Sequence, residues 1–172
     1  MNSFTNTSAD PEPFLHIGLL EPEIPQNTGN IARTCVALGC RLHLIGQLGF
    51  SLDDRYLKRA GLDYWFDLDL QLWDDPETAL AAFAGKPIFY ASTKAKRNYA
   101  YVSYEPGSLI LFGCETKGLP EPLLAAHPER AVRIPMVRSA RSLNLSNSAA
   151  IVAYEASRQM GFPGMDGDGN RY

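Results

Sequence analysis

Three short stretches of this 172-residue chain hold residues whose types and spacing suit chemistry. In the first, E-P-E-I-P-Q-N-T-G-N-I-A-R, residues 26–30 set backbone amides at the start of a helix. Asn30 belongs to that turn, and Arg33 lies one turn further in, on the side facing any guest. A phosphate or a sugar suits such a place. The second stretch is G-C-E-T-K-G-L-P, with Glu115 and Lys117 between Gly113 and Gly118. The glycines permit tight turns or close backbone approach. Glu115 can accept hydrogen bonds from loop amides and so shape a pocket. The third, R-I-P-M-V-R-S-A-R-S-L-N-L-S-N-S-A-A, leaves a short apolar strand at Ile134 and Pro135 and enters a loop holding Arg138, Arg141, Ser142, Asn144 and Ser146. Ser and Asn bond locally to backbone and suit caps and turns, and small side chains leave backbone groups open to a ligand. Neither a dinucleotide nor a phosphate-loop fingerprint occurs. No His, Cys or Asp cluster has metal-ligand spacing, so no metal is expected.

These loops need a frame. Apolar runs at 14–20, 41–45, 66–70, 87–91, 108–112 and 131–134 read as strands. Asn27 or Thr28 can cap a helix that runs to about Leu38, and helical spacing or end signals mark further helices over 52–60, 76–84, 120–126 and 145–159. Near-continuous apolar strands alternating with helices imply an α/β fold with a parallel sheet covered on both faces. In such sheets ligands bind beyond the carboxyl ends of the strands, which is where all three loops fall. His16 and His43 lie inside apolar strand patterns and read as satisfied core histidines. Trp65 and Trp73 read as core or dimer packing.

Composition bounds the rest. Hydrophobic residues make up 45% of the chain, enough for one globular domain. We expect that domain over 14–162, with residues 1–13 and 163–172 as loose tails. The net charge of −3 does not announce a nucleic-acid binder, yet the charges are segregated. Residues 53–77 hold eight acids, while Lys94, Lys96 and Arg97 form one basic cluster and Arg130, Arg133, Arg138 and Arg141 another. A local basic patch can steer a polyanion whatever the total charge. Three cysteines without metal spacing read as reduced thiols of a cytoplasmic protein. No apolar run approaches the roughly 20 residues needed to span a bilayer, so no membrane partner is expected.

N-T-G-N-I-A-R, F-G-C-E-T-K-G-L-P and R-I-P-M-V-R-S-A-R-S-L-N-L-S-N-S-A-A together resemble, in order and spacing, the three motifs of the SPOUT RNA 2′-O-methyltransferases. The resemblance spans about residues 14–162. It is strongest to the minimal members that act on the wobble cytidine or uridine of tRNA, through E-P-E-I-P-Q-N-T-G-N, R-A-G-L-D-Y and V-A-Y-E-A-S-R-Q. It implies a sheet whose C-terminal part is threaded into a deep trefoil knot, a homodimer with each site near the subunit interface, and S-adenosyl-L-methionine bound within the knot. Matched position by position, the cofactor contacts are Ala91, Gly113, Ile134, Ser142 and Leu143, largely through backbone. Glu115 and Asn144 would stabilise the knot loops, and Arg141 would touch RNA or cofactor. Arg33 is the expected catalytic residue, as base or as electrostatic helper, with Asn30 positioning the ribose. Arg41, Arg55, Lys58, Arg59 and the cluster 94–97 are candidates for tRNA phosphates. Arg138 and Ala140 depart from the pattern in a turn that varies among relatives. Two other readings stay open: methylation of another tRNA or rRNA ribose, and a silent RNA-binding module of the same fold.

Overall fold

A computed structural model describes residues 12–52 and 67–167. Among these, seven strands form one sheet in the order β3-β2-β1-β6-β4-β7-β5, with every pairing parallel. The elements run β1 (Leu15–Leu20), α1 (Pro25–Leu38), β2 (Arg41–Ile45), β3 (Leu70–Trp73), α2 (Pro76–Ala81), β4 (Ile88–Ala91), β5 (Arg97–Asn98), β6 (Ser108–Phe112), α3 (Glu121–Ala126), β7 (Ala131–Arg133) and α4 (Leu145–Gln159). A single 3-10 turn, Tyr99–Tyr101, follows β5.

Side chains alternate across a strand, so each face of the sheet has its own core. Leu15, Ile17 and Leu19 of β1 meet Ile31, Cys35 and Leu38 of α1 and Ala149, Val152, Ala153 and Ala156 of α4. The alanines of α4 let the two helices approach closely. On the other face Leu20, Ile45, Leu109 and Leu111 pack with Ala79, Phe83, Ile88 and Tyr90. Met165, beyond α4, still packs against the larger cluster. No described helix is long and apolar enough to cross a membrane.

Several local expectations need correction. Neither Asn27 nor Thr28 caps α1: the helix starts at Pro25, and no side chain caps it. Proline is pre-set for the first helical position, so the helix starts one turn earlier and draws Asn27 and Thr28 inside it. The third strand is Leu70–Trp73 rather than 66–70. Its place is set by pairing, since Leu70 to Trp73 align with Leu42 to Ile45 and the Asp69 carbonyl accepts from the Leu42 amide. The helix expected over 76–84 ends at Ala81 and continues only as turns to Gly85 at φ +82°. Strand β5 had no apolar signal, because it is two polar residues at the sheet edge. The expected helix 52–60, beyond Leu52, lies outside the described residues, as do Arg55, Lys58, Arg59, Trp65 and the R-A-G-L-D-Y segment.

His16 and His43 are buried, but not both satisfied. Trp73 Nε1 donates to His43 Nδ1 at 2.9 Å, and His43 Nε2 lies 2.9 Å from His16 Nδ1. Indole nitrogen only donates, so His43 Nδ1 is an acceptor and its Nε2 carries the proton. That leaves His16 Nε2 buried and unpartnered among the described residues. Burial, aided by nearby Arg41, lowers His16 to about 4. Burial, then His16 and Arg41, lowers His43 to about 3. Both rings are therefore neutral in the fold at neutral pH and take up protons more readily when unfolded. Their stabilising effect is complete above the ordinary value of 6.5 and is lost as pH falls from there toward 4 and 3. Thermal melts should show stability falling below pH 6.5 by up to about 1.4 kcal/mol per pH unit for each histidine. His16→Leu should flatten that acid limb. An unchanged limb in the variant would remove the pair from the pH response.

Candidate active site

The carboxyl ends of β1, β6, β4 and β7 lie side by side, and the segments leaving them enclose a cavity of about 640 Å³. Ile24 and Asn27 come from the passage into α1, and Ala91 to Lys94 follow β4. Residues 112–119 continue β6, while Ile134, Met136 and residues 142–144 follow β7. Leu145, Ser148 and Val152 of α4 close the back. All five expected cofactor residues, Ala91, Gly113, Ile134, Ser142 and Leu143, line this one cavity, as do Glu115 and Asn144. Asn30, Arg33 and Arg141 are exposed and lie outside its lining.

Gly113 is set by contact. The loop after β6 doubles back through an antiparallel bridge between Cys114 and Gly118, with the Gly118 amide donating to the Cys114 carbonyl at 2.9 Å. Gly118 itself takes φ +69°. A Cβ on Gly113 would stand 2.0 Å from the Gly118 carbonyl carbon and 2.2 Å from the Leu119 amide nitrogen. Real side chains do not fit there, so the loop closes over Gly113 only because it has none.

One hydrogen-bonded chain ties the three loops together. Glu115 accepts from the amides of Glu23 at 2.8 Å and Ile24 at 3.2 Å, and from Asn27 Nδ2 at 2.9 Å. Its charge therefore sits at the amide-rich start of α1, where a carboxylate is favoured. Glu23 returns the contact, accepting from the Thr116 amide at 3.1 Å and hydroxyl at 2.8 Å. Asn27, 6% exposed, accepts through Oδ1 from Asn144 Nδ2 at 2.9 Å. Asn144 in turn caps α4, its Oδ1 accepting from the Ser146 amide at 2.8 Å and the Asn147 amide at 3.3 Å. Asn144→Ala removes the cap, worth about 1 kcal/mol, and leaves buried Asn27 short of a partner, about 1–3 kcal/mol more. Asn144→Ser keeps a cap but not the bridge, so it should recover only the first part. Urea melts measure both, and a wild-type midpoint for the alanine variant would show that the bridge carries no stability.

Other expected contacts lie elsewhere. Arg41 pairs with Asp69 at 2.8 Å. Lys94 reaches the cavity wall but pairs with Glu121, and Arg97 donates to the carbonyl of Glu129. Lys117 lines the mouth and is exposed. Among the described residues no group of His, Cys, Asp and Glu could hold a metal ion, and Cys35, Cys40 and Cys114 are free thiols.

A model of the SpoU rRNA methylase family matches residues 15–154. The chain belongs to that family. It is 49% identical over 149 residues to a tRNA (cytidine(34)-2′-O)-methyltransferase of Methylovorus glucosotrophus, across 86% of this chain and 97% of the relative. A solved structure from work on the 2-OH methylation of C/U34 on tRNA superposes with TM-score 0.83 at 46% identity, covering 87% of this chain and 97% of that one. The SpoU methyltransferase AviRb of Streptomyces viridochromogenes, in complex with the cofactor AdoMet, superposes with TM-score 0.75 at 29% identity, over 88% of this chain and 59% of its own. The parallel α/β architecture expected from the sequence is thus the SpoU architecture.

Within this SpoU methylase, sequence reasoning missed Glu23 and the bridging role of Asn27. Glu23 was legible only as loop polarity. Asn27 carried a weak signal: a polar residue two positions after Pro25 lies in the first helical turn, where a buried amide needs partners.

Proposed function

We propose that this SpoU methylase transfers a methyl group from S-adenosyl-L-methionine to the ribose 2′-oxygen of the wobble nucleotide of tRNA. Two things support the reading together. The three motif loops meet at one cavity, and a relative so named matches the chain over 97% of its own length.

The cavity fits the cofactor class. Its volume lies within the roughly 300–1,000 Å³ of small-molecule sites. Apolar Phe112, Leu119, Val132 and Val152 suit a flat ring system, and the close-packed glycine turn at Gly113 presents backbone rather than side chains. The N-terminus of α4, capped by Asn144, opens onto the same space and favours a carboxylate. Ala91, Gly113, Ile134, Ser142 and Leu143 would hold the group. It supplies a methyl on a positively charged sulfur, already activated toward attack by oxygen.

The protein's share is placement and charge. Holding the ribose oxygen in line and near contact contributes up to about 7–11 kcal/mol. Asn30 positions the sugar. Arg33 stabilises the developing negative charge on the oxygen, or takes its proton. Arginine normally stays protonated, which favours the electrostatic role. Glu115 and Asn144 keep the loops closed, and Arg141 meets the RNA.

The same reading includes a C-terminal trefoil knot, a homodimer and a cytoplasmic setting, where tRNA is found. The crossed order of β6, β4 and β7, with their loops meeting at the cavity, favours the knot. Ile151 and Tyr154, exposed and three residues apart on α4, suit a face covered by a second copy. Exposed Arg33 and Asn30 suit a site completed at that interface.

The test is transfer of labelled methyl from S-adenosyl-L-methionine to bulk tRNA, followed by nuclease digestion and mass mapping. One 2′-O-methyl at the wobble nucleotide is expected. Label at another tRNA position, or on rRNA alone, would move the substrate. No label on either would leave an RNA-binding module.

A further inference from the structure

Residues 92–101, S-T-K-A-K-R-N-Y-A-Y, carry three cations and no acid in a chain whose net charge is −3. This strap starts at the cavity, where Ser92, Thr93 and Lys94 form part of the wall. It then becomes β5, the last strand of the sheet. Asn98 aligns with Arg133, the residue before cavity-lining Ile134, so β5 lies at the carboxyl edge beside the site. Tyr101 is only three residues further, at most about 11 Å of chain.

The strap is held firmly. The Ser92 amide donates to the Val132 carbonyl at 2.9 Å, and Ala95 is buried. Asn98 caps the turn by accepting from the Ala100 amide at 3.0 Å. Buried Tyr104 donates its hydroxyl to the Tyr99 carbonyl at 2.9 Å. Between these anchors Tyr101 is 86% exposed, the most open large hydrophobic side chain among the described residues. Lys96 is exposed as well. An open aromatic ring on a held backbone, in the same ten-residue strap as three cations, matches the way single-stranded nucleic acid is bound, with bases stacking on rings and phosphates meeting cations.

We propose that residues 92–101 form a docking platform for the single-stranded RNA that flanks the target nucleotide, with Tyr101 stacking on a base and Lys96 meeting the backbone. This rests on the RNA-modifying reading above and extends it to the substrate's flank. Arg97, tied to the Glu129 carbonyl, stiffens the platform, and Lys94 joins it to the cavity mouth.

The experiment compares wild type, Tyr101→Ala, Tyr101→Phe and Lys96→Gln. Fluorescence anisotropy would read binding to a labelled anticodon-stem hairpin and to a blunt RNA duplex, and full-length tRNA would serve for methyl transfer. Tyr101→Ala should weaken hairpin binding about tenfold and raise the KM for tRNA similarly with kcat kept. Tyr101→Phe should behave as wild type, and duplex binding should not depend on Tyr101. Lys96→Gln should reduce the slope of log affinity against log salt by about 0.7. Melting temperature and S-adenosyl-L-methionine affinity should stay put. Wild-type hairpin affinity in Tyr101→Ala overturns the proposal, leaving the cations as protection of an open sheet edge. A smaller sedimenting species with unchanged RNA affinity also overturns it, assigning the surface to a second copy. The two readings fail separately. Tyr101-dependent binding without methyl transfer keeps the platform and removes the activity, whereas transfer at wild-type KM by Tyr101→Ala does the reverse.

Discussion

Arg33→Ala is expected to lower methyl transfer at least about 10²- to 10³-fold while S-adenosyl-L-methionine still binds. Arg33 is exposed on α1 and does not line the cavity, so its loss takes no wall from the cofactor site. Asn27, which does line the cavity, lies six residues earlier, about 9 Å along the helix axis. Alanine is the best helix former, so α1 should keep its geometry. In the proposed mechanism, what disappears is a permanent positive charge near the reacting oxygen. Calorimetry of cofactor binding and single-turnover transfer measure the two effects separately. Arg33→Lys keeps the charge without the planar fork, so an electrostatic role predicts partial activity there. Turnover near wild type in the alanine variant would exclude Arg33 from the mechanism.

Gly113→Ala should act in the opposite sense and weaken binding of the proposed cofactor. The added methyl meets main-chain atoms of Gly118 and Leu119 at 2.0–2.3 Å, and no side-chain rotation relieves that. The loop after β6 must lift, which breaks the Cys114–Gly118 bridge and shifts Glu115 away from the start of α1. Overpacking of this kind typically costs about 1–3 kcal/mol of stability, and backbone displacement pushes toward the upper end. Cofactor affinity should fall at least about tenfold, because Gly113 and its neighbours 114–119 all line the cavity. Calorimetry and thermal melts report both quantities. An alanine variant that binds and melts as wild type would mean that the loop can open there at no cost.

These two variants divide the site into a cradle and a charge. The cradle is internal to the chain and is fastened by the chain of contacts from Glu115 through Asn27 to Asn144. The charge stands outside it, on the exposed side of α1, which is why a second copy enters the proposed function.

Periodicity and punctuation along the sequence were enough for the frame. The limits of β2, β6 and α4 follow from apolar runs and helical spacing, and parallel pairing follows from strands buried on both faces. The placing of the three polar loops at one sheet edge follows from the same order. Tertiary structure alone decided the rest. Glu115 meets Asn27 across 88 residues and Asn144 meets Asn27 across 117, distances at which local spacing carries no information. β3 is placed by its pairing with β2, with Trp73 reaching His43, and the two polar residues of β5 pair with β7. Arg33 looked local to the cavity because it follows the N-T-G-N turn, yet the helix carries it past the rim. Local conformation responds to neighbours in sequence, whereas hydrogen-bond partners and burial are set by which surfaces the sheet brings together.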